Sequence, residues 1–310
     1  MKPLTFWGGL ALAAILLSVI QTVSAFALRG STHGPMPAWE KFHARATDWW
    51  YVLGAIAFCY AIGPGALIFA FALASFMALR EVVTATPVKP SDANPLFVAF
   101  FIAVPGQYLL LAFRAYGLFS IFIPVYIFFA LTALSAMAKD KDDFLARNAR
   151  IQWALMVSVY GVSFAPALLT LAPPGQAPDG MMLFFFLFVG QISETVQFFA
   201  TRLYGKRAVF EKRPDITSEG MSTALAASFA LGASLSAATP FAWWQAGLAG
   251  MSIAGSALCG TLALTAAKDS LGLKRWRPSA EARGGMMERI DAICFSAPIF
   301  FHIAKNFYPS

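Results

Sequence analysis

The chain has 310 residues, 58% of them hydrophobic and only 13% charged, against about 25% charged in an ordinary soluble domain. That balance excludes a soluble globular protein and calls for lipid as solvent. The formal net charge of +7 then bears on orientation in a membrane, and no nucleic-acid partner is expected.

A membrane span needs about 20 mostly apolar residues. Such runs lie near 6–28, 49–79, 94–113, 116–136, 151–171, 181–200, 221–238, 240–267 and 292–308. Bilayer hydrocarbon offers the backbone no hydrogen-bond partners, and none of the runs alternates with the period of a barrel strand. The expected fold class is therefore all-α: a polytopic integral membrane helical bundle of eight to ten transmembrane helices.

The first run follows Lys2 and contains Val23-Ser24-Ala25, as a secretory signal would, but it is long for one, and a retained helix is expected. Residues 29–48 and 80–93, with Pro, Thr and mixed charges, read as loops. The run from Trp49 to Leu79 would extend about 46 Å as one helix, too long for an upright span. Gly63-Pro64-Gly65 near its middle predicts two short helices or a hairpin. Cys59, Cys259 and Cys294 sit in apolar runs, and His33, His43 and His302 are scattered without metal-ligand spacing.

Lys and Arg concentrate in 139–150, 201–219 and 268–291, while 172–180 and 238–241 contain neither. Two spans separate each consecutive basic pair, so all three basic loops fall on one side, the cytoplasmic one by the positive-inside rule. That places the C-terminus outside and leaves the N-terminal orientation open. Trp49, Trp50, Trp243 and Trp244 read as interfacial aromatics and Arg114 as an interfacial anchor. Ala246, Gly250 and Ala254, four residues apart, read as a close-packing stripe.

Ionisable residues at membrane depth mark function, and Glu194 is the clearest. With Gln191, Gln197 and Thr201 it forms one helical face, expected to point into the bundle or a water-filled cavity. Snorkelling, or pairing with Arg202, is the structural alternative. Downstream, FEKRPDITSEG reads as a loop whose residues Asp215 to Glu219 cap the next helix. This loop and 268–291 share one membrane face and the same mixture of cations, carboxylates and glycine. Clustered Lys and Arg suit phosphate, and carboxylates among them suit a divalent metal bridging phosphate oxygens. Neither loop contains His, which argues against a Ser/His/Asp hydrolase.

These motifs resemble the phosphatidate cytidylyltransferases. The family's C-terminal signature runs S-x-x-K-R, K-D, then H-G-G-x-x-D-R-x-D. On TAAKDSLGLKRWRPSAEARGGMMERID it meets Lys268, Lys274, Gly284, Gly285, Arg289 and Asp291. The upstream S-P-x-K-T-x-E-G resembles RPDITSEG at Pro214, Thr217, Glu219 and Gly220. The family's membrane Asp and G-K element are similar to Glu194 and Gly205-Lys206. The resemblance spans roughly 105–310, giving a cytidylyltransferase-like domain with site loops 201–220 and 268–291, and 1–104 as N-terminal membrane helices of unassigned role. The chain departs from the pattern at Arg275 for the Asp of K-D, Arg283 for the His, Glu288 for the following Asp, Ile216 for Lys and Arg213 for Ser.

The resemblance implies transfer of the cytidylyl group of CTP to phosphatidate, giving CDP-diacylglycerol and pyrophosphate in phospholipid biosynthesis. It implies Mg2+, with room for a second metal ion, at Asp291, Glu288, Glu194 and Asp269. Catalytic roles fall to Asp291, Lys268, Lys274 and Arg289, and nucleotide binding to Thr217, Glu219, Gly220, Lys206 and Arg213. The expected partners are CTP, phosphatidate, membrane lipids and a second copy in a homodimer. The expected location is a bacterial inner membrane with the site facing the cytoplasm. A family-fold protein with lost or changed catalysis, such as a lipid-binding or regulatory partner or a transferase of a different nucleotide or headgroup, is the alternative. A transporter would need broken helices in two inverted halves, and one Gly-Pro-Gly break is seen.

Overall fold

The computed structural model describes residues 5–29, 37–138, 140–171, 179–210, 213–273, 276 and 285–307. The chain is a bundle of membrane-length helices. α1 (Phe6–Arg29), α2 (Pro37–Ile62) and α3 (Pro64–Ala85) come first. α4 (Ala93–Val98) and α5 (Val104–Ala112) form one span, α6 (Tyr116–Ile121) and α7 (Phe128–Met137) a second, and α8 (Phe144–Leu155) with α9 (Gly161–Ala167) a third. α10 (Met181–Tyr204), α11 (Ser218–Ser234), α12 (Trp243–Ser270) and α13 (Met286–Asn306) follow as packed consecutive neighbours. Among the described residues seven helical stretches are long and apolar enough to cross a membrane, and α2, α11 and α13 complete a set of ten. The protein is a polytopic helical membrane protein; among the described residues seven of its ten long helical stretches have the length and apolarity of a span, against the eight to ten expected.

The ambiguous run at 49–79 resolves into a hairpin. Gly63 adopts φ 140°, a conformation L side chains rarely take, and Pro64 begins α3 at the first helical position, where its missing N–H costs nothing. α2 returns to the end of the bundle where α10 begins, as the Tyr60 hydroxyl donates to the Asp179 carbonyl at 3.2 Å. α3 then runs to the opposite end, where α13 begins.

Both expected N-terminal loops are shorter than read. α2 begins at Pro37, inside 29–48. α3 continues through Arg80 and Glu81 to Ala85, because no breaker occurs before Pro87, which forces Thr86 into extended backbone (ψ 151°). Three spans contain π-turns: Ala99–Ala103 just before Pro105 and Phe122–Ile127 around Pro124, which accommodate the missing proline N–H groups, and Met156–Tyr160 between α8 and α9.

In lipid, helices associate through close packing rather than through expulsion of water. A Cβ on Gly232 would stand 2.3 Å from the Ala246 carbonyl oxygen, and one on Gly250 would stand 2.4 Å from that of Ser228. These contacts bring α11 and α12 together along the predicted small-residue stripe, with Ala254 fully buried. Trp243 and Trp244 are exposed at the start of α12. Arg114 (φ 57°) forms the exposed turn between α5 and α6.

Candidate functional site

At the end of the bundle shared by the ends of α3, α10 and α12 and the starts of α11 and α13, the family-like segments are each held by a carboxylate on backbone N–H groups. Gly285 is the N-cap of α13, and Glu288, three residues on, reaches back to it, its Oε2 accepting from the Gly285 N–H at 2.8 Å. The other Glu288 oxygen accepts from the Trp276 N–H at 2.7 Å, and the buried Trp276 ring lies 6.3 Å from that of Trp153 on α8. The next two amides, Met286 and Met287, donate to Glu81 of α3 at 2.9 Å each.

The second segment begins α11. Thr217 is its N-cap, accepting from the Gly220 N–H at 3.1 Å and donating to the Thr201 hydroxyl of α10 at 3.1 Å. Gly220 is pressed against α10: a Cβ would stand 2.1 Å from Thr201 Oγ1. Glu219 accepts from the N–H groups of Lys206 and Arg207 at 3.2 Å. Its own N–H and those of Arg207 and Lys206 hold its carboxyl below the usual carboxylate range. Between 206 and 217 the expected loop contains a small antiparallel hairpin, β1 (Ala208–Phe210) against β2 (Arg213–Thr217), with Ala208 opposite Thr217.

The remaining sequence-derived residues divide by position. Lys268 is partly buried and Asp269 exposed at the end of α12; Arg289 is exposed and Asp291 partly buried on α13. A Cβ on Gly260 would stand 2.8 Å from the Asp291 carbonyl oxygen, so α13 crosses α12 at that level. Asp269, nine residues further along α12, lies about 13 Å beyond the crossing at 1.5 Å per residue. The structure thus brings Asp291 and α12 together but does not bring Asp269 to Asp291.

Among the described residues no group of three His, Cys, Asp or Glu side chains forms a metal set. Glu288, expected as a metal ligand, holds two backbone N–H groups, and Glu219, expected in the nucleotide pocket, does the same. Mg2+ commonly takes one or two protein carboxylates and completes its shell with water and phosphate oxygens, which Asp291 could still serve. Lys274, Arg275, Arg283, Gly284 and Lys212 lie outside the described residues, and of Arg213 only the backbone in β2 is described.

The Glu194 face is covered only in part, with Gln191 and Gln197 partly buried. Thr201 is buried against α11, and Glu194 itself is partly buried. Gln191 lines an apolar cavity of about 80 Å³ between α1, α2 and α10, its Oε1 buried without a hydrogen-bond partner. Arg202 stacks its guanidinium 4.5 Å over the Phe198 ring.

Sequence reasoning missed two groups. Glu81 borders an apolar run and, with Arg80 beside it, falls in the expected loop 80–93, so nothing in the sequence marks it as buried. The second is a buried ion pair: Arg147 Nε donates to Asp92 Oδ1 at 2.8 Å, with further bonds to Ser91 Oγ and the carbonyls of Asp140 and Asp142. Asp92 Oδ2 accepts from the Lys89 N–H. The Lys89 ammonium on Asp140, reinforced by the Asp142 N–H, holds the Asp140 carboxyl low.

Comparison with known proteins decides what this arrangement belongs to. The model of the cytidylyltransferase family matches residues 43–307. The chain belongs to that family. Over 270 residues it is also 30% identical to the uncharacterized protein YnbB of Escherichia coli strain K12, covering 84% of this chain and 86% of that protein. The cytidylyltransferase match takes in residues 43–104, where the sequence offered nothing family-specific, and so includes Glu81 and Asp92. Membership supports a CTP-using nucleotidyltransferase built into a membrane bundle.

Proposed function

We propose that this protein transfers the cytidylyl group of CTP to phosphatidate, releasing pyrophosphate and forming CDP-diacylglycerol. The observation that carries the reading is the start of α13, where the family-like G-x-x-E-R-x-D from Gly285 to Asp291 is held in place between α3 and α12. A phosphate monoester is already ionised near neutral pH, so its oxygen can attack the α-phosphorus of CTP without a dedicated base. The new P–O bond forms as the α–β bridge breaks, and the electron pair leaves with pyrophosphate. The protein's part is alignment and charge compensation.

In this reading Lys268 and Arg289 offset charge on the triphosphate, with Lys274 and Arg213 as further cations. Thr217, Glu219, Gly220 and Lys206 shape the nucleotide side: Glu219 and Thr217 through the backbone they hold, Gly220 by admitting α10. Asp291 would hold Mg2+, which when bound would neutralise phosphate charge, and the reading assigns the partly buried Glu194 of α10 as a further carboxylate for it. The site would face the cytoplasm of a bacterial inner membrane, where CTP is aqueous and phosphatidate arrives through lipid.

Purified protein in nanodiscs, given labelled CTP, phosphatidate and Mg2+, should form CDP-diacylglycerol. Absence of product across several lipids, nucleotides and divalent metals would overturn the assignment. The attachment of Glu219 and Glu288 to backbone amides favours a second reading, in which the fold is kept and the chemistry changed. Magnesium-dependent CTP binding by calorimetry separates the two, since a simple scaffold should show none.

A further inference from the structure

Glu81 is 7% exposed, and its two oxygens each accept one of the first two helical amides of α13, from Met286 and Met287. Those amides have no partner within their own helix, and the positive end of the helix dipole there favours an anion. Gly285 adopts φ −89° and ψ −175°, extended backbone that other residues also adopt. Its need for glycine is therefore spatial: a Cβ would stand 2.4 Å from Glu81 Oε2 and 2.7 Å from its Cδ. The close backbone approach that this glycine permits is made by a side chain of α3. With both amides taken, a phosphate could reach them only by displacing Glu81.

We propose that Glu81 is the positioning residue for the Gly285–Asp291 segment. Its two hydrogen bonds set where α13 begins and how it is rotated, and hence where Arg289 and Asp291 stand. Residue 285 is glycine because this carboxylate fills the space of its side chain. The inference rests on the reading that places 285–291 in the site. It joins the N-terminal helices to the transferase signature, giving α3 a part in a site otherwise drawn from α10 to α13.

The test uses full-length protein carrying Glu81→Ala, Glu81→Gln, Gly285→Ser, or Glu81→Ala with Gly285→Ser. Losing a buried charged acceptor should speed amide exchange in peptides covering 285–292 by about tenfold or more, while α10 to α12 keep parental protection. Gln can accept only one of the two N–H groups and should fall between parent and Glu81→Ala. Ser at 285 should be harmful beside Glu81. Once Glu81 is Ala, the same Ser should restore protection, because its hydroxyl is a good N-cap acceptor and now has room.

Turnover of CTP and phosphatidate, measured well below the unfolding midpoint, should show kcat lowered about tenfold in Glu81→Ala with the KM for CTP within about threefold, and partial recovery in the double variant. Unchanged exchange in Glu81→Ala, or a double variant no better than the worse single one, would overturn the proposal. If the parent transfers no cytidylyl group, the transferase reading fails, and the exchange data still decide whether Glu81 positions α13.

Discussion

Arg147 and Asp92 meet at 2.8 Å with side chains only 6% and 5% exposed, an ion pair tying the start of α8 to the turn before α4. Such a pair is most costly when half removed, because the surviving charge stays buried. Asp92→Leu or Arg147→Met should each destabilise by about 3–5 kcal/mol, and the double variant by clearly less than the sum. Thermal unfolding in detergent checks this. Strict additivity would mean that the two charges do not interact.

The close approach of α11 to α10 gives a steric prediction. A Cβ at Gly220 would stand 2.1 Å from Thr201 Oγ1, and one at Gly205 would stand 2.4 Å from the Thr201 carbonyl, whereas Gly117 has nothing within 4 Å. Gly220→Ala and Gly205→Ala should each cost about 1–3 kcal/mol through overpacking. Gly117→Ala, inside α6, should be neutral or stabilising by about 0.5–1 kcal/mol. The same unfolding assay ranks the three, and equal effects would show that space is not the constraint.

Glu219 supplies a pH dependence. Folding lowers its pKa below the ordinary 4.5, so its contribution is complete above pH 4.5 and is lost as pH falls through the folded value. Glu219→Gln cannot ionise and should show a shallower loss of unfolding midpoint between pH 5 and 3.5 than the parent. Parallel acid limbs would show that the bonds to Lys206 and Arg207 do not depend on its charge.

Much of this architecture is legible in the sequence, because lipid leaves few options. Apolar length gave the spans, Gly63-Pro64 gave the break, and the small stripe at Ala246, Gly250 and Ala254 marked a close-packed face without naming α11 as its partner. The site was legible as segments and less so as roles. Glu219 and Glu288 carry the residue type that metal or nucleotide chemistry requires, yet a carboxylate in the first turn of a helix serves equally to hold backbone N–H groups, Glu288 at its own helix start and Glu219 on the preceding segment. Glu81 was hidden for a different reason. Its partners lie more than 200 residues away, and only the folded chain shows that the space beside Gly285 is taken. The Arg147 and Asp92 pair is likewise long-range, and a basic loop gives no sign of which of its cations will be buried.

The division between capping and chemical carboxylates is testable within one helix turn of α13. Glu288 holds the Trp276 and Gly285 amides, so Glu288→Gln, able to accept only one of them, should lower the unfolding midpoint and speed exchange at 285–288. Asp291 stands where α13 crosses α12, and Asp291→Asn keeps its shape while removing its charge. If Asp291 holds the metal, this change should leave the midpoint within about 1 kcal/mol of parental stability, as for a substitution that disturbs no packing. It should reduce kcat by more than about 100-fold, beyond the 10- to 100-fold typical of groups that merely support a ligand. Raising Mg2+ should recover part of the Asp291→Asn loss and none of the Glu288→Gln loss. The reverse pattern, with stability lost at 291 and only turnover lost at 288, would exchange the roles of the two carboxylates.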